Sequence, residues 1–325
     1  MKSFHASRRF LLATVLAACA AGAGAADPYP TRAIKLIVPY TPGQGADSAA
    51  RLVATRLSER LKQPIVIENK PGAAGNIGAE AAAGAAGDGY TLLVGSNATH
   101  AANAAMYPSL RFDPINDFVG VAYIGAVPMA LVAAPGFTAS GVRELVSLAK
   151  SKSGEVTVAV PSSTARVVLE LLSQSAGAKF KDVPYKGSSA AMADLMGGHV
   201  QLSIDTAMAA TPLVTSGKLK ALGVTSAQRT GVLPTVPTFA ESGIPDFALV
   251  AWNVWFAPKG TPPEIVNKLN QEIGQVLAEP ETAAKLKALG YQPGGSEDPK
   301  KVAEFVRTET QKWGKLIRAA GIKAD

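Results

Sequence analysis

Two short-range periods alternate along this chain, and that alternation constrains its fold more than any single motif. Ile34-Lys35-Leu36-Ile37-Val38 and Ile65-Val66-Ile67 are short runs rich in β-branched residues. Between them Ala49, Leu52, Val53, Arg56, Leu57 and Leu61 recur at helical spacing. A helix of small residues over 75–86 leads to a third strand at 90–94. The order then repeats as strand 129–133, helix 142–150, strand 156–160, helix 165–175 and strand 180–183. Helix 190–196, strand 200–204, helix 207–214 and strand 219–224 complete the second series. Strands separated by helices predict parallel sheets with right-handed crossovers. Two such series in 325 residues predict two α/β lobes, each large enough for its own core.

The C-terminal part reads as a strand at 249–257 followed by helices. Thr261-Pro262-Pro263-Glu264 predicts an N-cap hydroxyl, prolines in the first turn and an acid at the capping-box position. Asp298-Pro299 opens a last helix in which Val302, Phe305, Val306, Trp313, Leu316 and Ile317 form one apolar stripe, and Gly321 is its stop. The stripe reads as core, with the tail packed on the first lobe. Lobe 1 is therefore expected over 27–127 and 224–325 and lobe 2 over 128–223, with a crevice between them.

Residues 1–26 carry Lys2, Arg8 and Arg9 and no acid, then an apolar stretch over 10–21 and small residues at 23–26. This is the layout of a secretory signal peptide, too short for a transmembrane helix, and it predicts a periplasmic protein. Ser7-Arg8-Arg9-Phe10-Leu11-Leu12 also resembles a twin-arginine signal. Cys19, the one cysteine, follows Leu16-Ala17-Ala18 and resembles a lipoprotein cleavage box; cleavage near Ala25 or Ala26 is expected to remove it. The mature domain then has no cysteine pair for a disulfide. Without this segment the charge balance falls from 32 basic against 25 acidic residues to 29 against 25. That weak excess, without clusters of basic and aromatic residues, gives nucleic-acid binding no support.

The segment Val38-Pro39-Tyr40-Thr41-Pro42-Gly43-Gln44-Gly45-Ala46-Asp47 joins the first strand to the first helix. Gly43 and Gly45 allow unusual backbone angles and close approach of a ligand, and the helix start offers unpaired N–H groups, so the loop reads as an anion seat. Asp47 equally suits the helix macrodipole without touching a ligand. Gly43-x-Gly45 with Glu68 imitates a dinucleotide-binding fingerprint, but Ser48 stands where its third glycine belongs.

Similar strand-end loops recur at 69–76, at Gly95-Ser96-Asn97 and at Pro161-Ser162-Ser163-Thr164 with Arg166 in the next turn. Tyr185-Lys186-Gly187-Ser188 and Asp205-Thr206 are further examples. Ser162, Ser163 and Thr164 equally suit capping of their helix. Catalytic constellations are thin. His100 and His199 lack a second ligand at metal spacing, and Ser147-x-x-Lys150 falls mid-helix without its companion motifs. The pattern favours binding, with no cofactor and no metal, over an exported hydrolase or an NAD-dependent enzyme.

At this point the chain resembles the Bug-type periplasmic solute-binding proteins, receptors of tripartite tricarboxylate transporters. The resemblance rests on 34–40 running into the glycine loop with Asp47 and Arg51, on Val66-Ile67-Glu68-Asn69-Lys70-Pro71-Gly72 and on Asp88-Gly89-Tyr90-Thr91-Leu92-Leu93. It extends to Val183-Pro184-Tyr185-Lys186-Gly187 with Asp194-Leu195-Met196-Gly197-Gly198, to 234–243 and to Trp255-Phe256-Ala257-Pro258-Lys259-Gly260-Thr261-Pro262.

The resemblance implies a two-lobed type II periplasmic binding protein fold of the α/β class. It also implies a small mono- or dicarboxylate clamped between the lobes through backbone donors and bridging waters, and delivery to membrane transporter subunits. That carries over to Tyr40, Thr41, Gly43, Gly45, Asp47, Ser96 and Asn97, faced by Ser162, Ser163, Thr164 and Asp205. Arg166 departs from the family's usual glycine-rich turn and histidine, and either favours a second carboxylate on the ligand or pairs with a local acid. Gln44 stands where the family favours glycine. The expected protein is monomeric and not an enzyme; a ligand-presenting partner of a sensor kinase is the alternative.

Overall fold

The computed structural model describes residues 29–245, 247–295 and 297–323. The expected signal peptide, with Cys19, lies outside the described residues. The first half follows the predicted alternation: β1 (Ile34–Val38), α1 (Gly45–Leu61), β2 (Ile65–Asn69), α2 (Asn76–Ala83) and β3 (Thr91–Ser96). β1 lies between β2 and β3, parallel to both. After β3 a wide turn at Ala98–Ala102 runs into the short α3 (Asn103–Met106).

The 16-residue β4 (Phe118–Ala133) organises the rest. Its first part pairs with β9 (Val250–Pro258) from Phe118↔Pro258 to Pro128↔Val250. Its last residues, Met129 to Ala133, pair instead with β7 (Leu202–Thr206). Ala130 to Ala133 also pair with β8 (Lys220–Val224). One strand thus belongs to two sheets, one on each side of the Pro128–Met129 link. Only 129–133 was legible as a strand, because Gly120, Gly125 and Pro128 hide the first part. A Cβ at Gly120 would lie 2.9 Å from Val302 Cγ1, and Gly125 takes φ 150° against the carbonyl of Gln292. Glycine in a strand marks such close approaches, and the register shifts beside both positions.

The second sheet carries α4 (Val142–Ser151), β5 (Thr157–Val160), α5 (Ser163–Ala176), β6 (Lys181–Pro184), α6 (Ser188–Met196) and α7 (Ala207–Thr215). β5 is parallel to β6 and β7. The sheets are nevertheless mixed, not purely parallel: β9 runs antiparallel to β3 and β4, and β7 antiparallel to β4. The reason is connectivity, since β4 leaves the first half and β9 returns to it in the opposite direction. Where the two crossings meet, Thr225 is fully buried and ties them together. Its N–H donates to Met129 O at 2.9 Å, its Oγ1 accepts from Met129 N at 3.0 Å and donates to Leu249 O, and its O accepts from Leu249 N.

The chain closes with α8 (Pro263–Ala278), α9 (Pro280–Ala288), β10 (Gln292–Pro293) and α10 (Pro299–Ala320). Thr261 does not cap α8. Pro262 occupies that position, and Thr261 Oγ1 donates backwards to Pro258 O at 2.7 Å. Asp298 does cap α10 through Lys300 N, and Gly321 ends it at φ 65°. The α10 stripe buries Val302, Val306, Trp313 and Ile317; the helix packs on β4 and on the 98–102 turn, and it also touches α5 of the second half. The tail therefore rests on both halves, an arrangement its own periodicity does not contain. A second apolar cluster packs α1 and α8 against the first sheet around Leu36, Val53, Leu92, Trp255 and Leu269, each fully buried. Burial of each such side chain stabilises the fold by roughly 1.5–3 kcal/mol.

Candidate functional site

Strand ends and helix starts of both halves converge on a cavity of about 720 Å³. The first half contributes the loop between β1 and α1, the turn before α2 and the end of β3. The second contributes the β5–α5 junction, the turn before α6 and the end of β7. In α/β sheets the carboxyl ends of strands are where ligands bind, because side chains and helix N–H groups project there.

Of the residues singled out from sequence, Tyr40, Thr41, Gly45, Ser96 and Asn97 line the cavity on one side, and Ser162, Ser163, Thr164, Arg166 and Asp205 on the other. Gly43 and Asp47 do not line it: Gly43 is exposed, and Asp47 is buried behind the wall. Asp47 is 1% exposed and accepts from Gly43 N at 2.9 Å, from Arg51 Nε at 2.9 Å and Nη2 at 3.0 Å, and from Asn69 Nδ2 at 2.8 Å. Burial alone would raise its pKa, yet these hydrogen bonds prevail and hold it below the ordinary carboxylate value. The protein's own carboxylate thus takes the Gly43 N–H that the loop seemed to offer an anion.

Asp205 is also closed off from solvent, but its surroundings are opposite. It is 3% exposed, and its Oδ1 accepts from Ser188 Oγ at 3.0 Å and Thr206 N at 2.7 Å. Its Oδ2, buried as well, has no partner. Burial pushes its pKa up to about 6 despite the Ser188 and Thr206 hydrogen bonds.

The two halves meet directly around the cavity. Asn97, fully buried, donates through Nδ2 to Thr164 Oγ1 at 2.7 Å and accepts from Trp252 N at 3.3 Å. A Cβ added at Gly45 would overlap Met208 Cε, and one at Gly187 would lie 2.6 Å from Gln44 Nε2. Tyr40 OH pairs with Ser96 Oγ, and burial lifts the phenol to about 12, so it stays neutral. Arg166 forms the local pair: its Nη2 and Nε donate to Asp182 Oδ2 at 2.9 and 3.2 Å, and its Nη1 reaches Lys323 O at 3.4 Å.

The cavity also takes residues beyond the twelve expected to bind. Pro71–Gly75, within the strand-end loop at 69–76, form part of the wall, with Ala73 at φ 45° and Ala74 at φ 54°. Pro71, Gly72 and Gly75 are visible as a turn, but nothing in alanine announces a left-handed backbone. Trp252 and Tyr291 reach the cavity from β9 and from the end of α9, far along the chain, and read as core.

His100 lies outside the cavity wall, fully buried and stacked on Phe256 at 3.8 Å; burial lowers its pKa to about 3. Ser147 is exposed on α4 and donates to Arg143 O. Among the described residues no group of three His, Cys, Asp or Glu could hold a metal ion, and no helix is long and apolar enough to cross a membrane.

Residues 49–322 match a family described as Tripartite tricarboxylate transporter family receptor. Protein BugT of Bordetella pertussis is 38% identical over 301 residues, 92% of each chain. A solved R. palustris protein with adipate is similar at a TM-score of 0.87 and 37% identity, over 91% of this chain and 99% of that one. MatC of Rhodopseudomonas palustris, with bound malate, gives 0.83 and 33% over 89% of this chain and 100% of its own.

Proposed function

The chain belongs to the tripartite tricarboxylate transporter receptor family, and from that premise we propose that it captures a small organic carboxylate between its two halves and presents it to membrane transporter subunits. The observation that carries this reading is the cavity itself. It is closed by direct contact of the halves, walled by hydroxyls and strand-end backbone, and carries Arg166 and Lys186 on the second half. Relatives solved with adipate and malate support the same ligand class.

In this reading the protein is exported through residues 1–26, works in the periplasm as a single chain, and releases its ligand unchanged. Both walls of the cleft come from one chain, so no second copy is needed to complete it. A hydrogen bond to a charged group contributes about 1.5–3 kcal/mol, so four or five of them, preorganised, reach the roughly 8 kcal/mol of micromolar binding. Titration calorimetry against mono- and dicarboxylates of increasing length is the direct test. Micromolar binding of at least one is expected, with a stability gain of about 2.7 kcal/mol at one hundred times its dissociation constant. Silence toward the whole panel would sink the proposal.

A further inference from the structure

Asp205 is the only carboxylate among the described residues that line the cavity. In a site for anions it stands out, because an acid in the wall repels what the wall is meant to hold. It is deeply buried, and its partners are hydroxyls and one backbone N–H, all on Oδ1. Oδ2 is left with nothing. An unsatisfied buried acceptor destabilises a fold, more so when charged, so each such group in a folded protein calls for an explanation. Asp47 shows what this fold does when a buried aspartate serves the scaffold: every donor it needs is supplied from within.

From this we infer that Asp205 is a specificity-determining residue, whose unpaired oxygen selects carboxylates that also carry a hydrogen-bond donor, a hydroxyl or ammonium group, over otherwise identical acids that lack one. The inference rests on the receptor reading above and names the ligand class within it. A ligand donor that reaches Oδ2, which is closed off from solvent in this structure, supplies the missing partner, whereas a plain diacid leaves the oxygen unpaired and adds its own charge to the repulsion. Sites built around a buried polar group reject ligands that cannot pair with it more strongly than apolar pockets reject a missing methylene. Ser188 and Thr206 act as positioning residues, holding Oδ1 and so setting the direction of Oδ2.

The test uses matched dicarboxylates of four, five and six carbons, each plain, 2-hydroxylated and 2-aminated, titrated at pH 7.5. Wild type is expected to bind a hydroxylated or aminated member at least tenfold more tightly than its plain counterpart. Asp205→Asn, which keeps the shape but removes the charge, is expected to lose most of that preference while keeping or improving affinity for the plain acid. Ser188→Ala retains the carboxylate and is expected to keep the preference in weakened form, which separates recognition from a general loosening of the wall. Equal affinities within each set, or a preference that survives in Asp205→Asn, would overturn the inference and leave the receptor reading intact. Failure of every acid to bind would overturn both.

Discussion

The two walls of the cleft each bury one aspartate at the end of a strand or the start of a helix, and the two side chains behave in opposite ways. Asp47, behind the first wall, is met by a guanidinium, an amide and a backbone N–H, and its pKa falls. Asp205, in the second wall, keeps one oxygen without a partner and its pKa rises to about 6. Both are closed off from solvent, at 1% and 3% exposure, but Asp205 is set deeper and its burial outweighs its hydrogen bonds. What also differs is the set of partners, a guanidinium, an amide and an N–H against hydroxyls and one N–H: one carboxylate holds a loop to its helix, the other keeps an unpaired, buried oxygen.

The largest expected effect comes from breaking the satisfied partner. Asp47→Asn should cost roughly 3 kcal/mol at neutral pH in urea unfolding, since hydrogen bonds to a charged group contribute about 1.5–3 kcal/mol each and Arg51 is half exposed. Because the folded pKa of Asp47 lies below its unfolded value, its stabilisation is present above about pH 4 and lost as pH falls further. The variant and wild type should therefore converge in acid. A constant gap across the pH range would show that packing, not charge, is what Asp47 supplies.

Asp205 should give the opposite signature. With a folded pKa of about 6, above its unfolded value, its favourable contribution is complete below about pH 4 and lost as pH rises through 6. From pH 4 to 7.5 the stability of Asp205→Asn should gain on wild type by roughly 2–3 kcal/mol. Parallel pH curves for the two proteins would erase the contrast between the walls.

The smallest effect tests whether the first wall contributes through contact with the second. Gly45→Val would push into Met208, whose flexible tip can move aside, so stability should change by less than about 1 kcal/mol. Affinity for the best carboxylate should fall about tenfold, or 1.4 kcal/mol, because the added side chain and the displaced Met208 take up space in the cavity wall. Unchanged affinity would show that closure at Gly45 is irrelevant to holding the ligand.

Much of the fold was legible because apolar spacing reports locally on which face of an element is buried. β1, α1, β2, α4 and α5 stand within a few residues of where periodicity put them. The first part of β4 was not, because its glycines serve approaches by Val302 and Gln292, more than 160 residues away. Ten of the twelve proposed site residues line the cavity since strand-end loops with hydroxyls and glycines can be recognised in isolation. Gly43 and Asp47 have equally suggestive types, yet Gly43 stays exposed outside the cavity and Arg51 and Asn69 close on Asp47 behind the wall.

Composition and spacing by themselves determined the α/β class, the run of elements and the loops at which a ligand could be held, because each depends on neighbours a few residues apart. The tertiary structure decided that β4 serves two sheets, that α10 rests on both halves, and which of two buried aspartates has its donors supplied. Those outcomes depend on groups far apart in the chain meeting in space, and a carboxylate's pKa and role follow from who meets it.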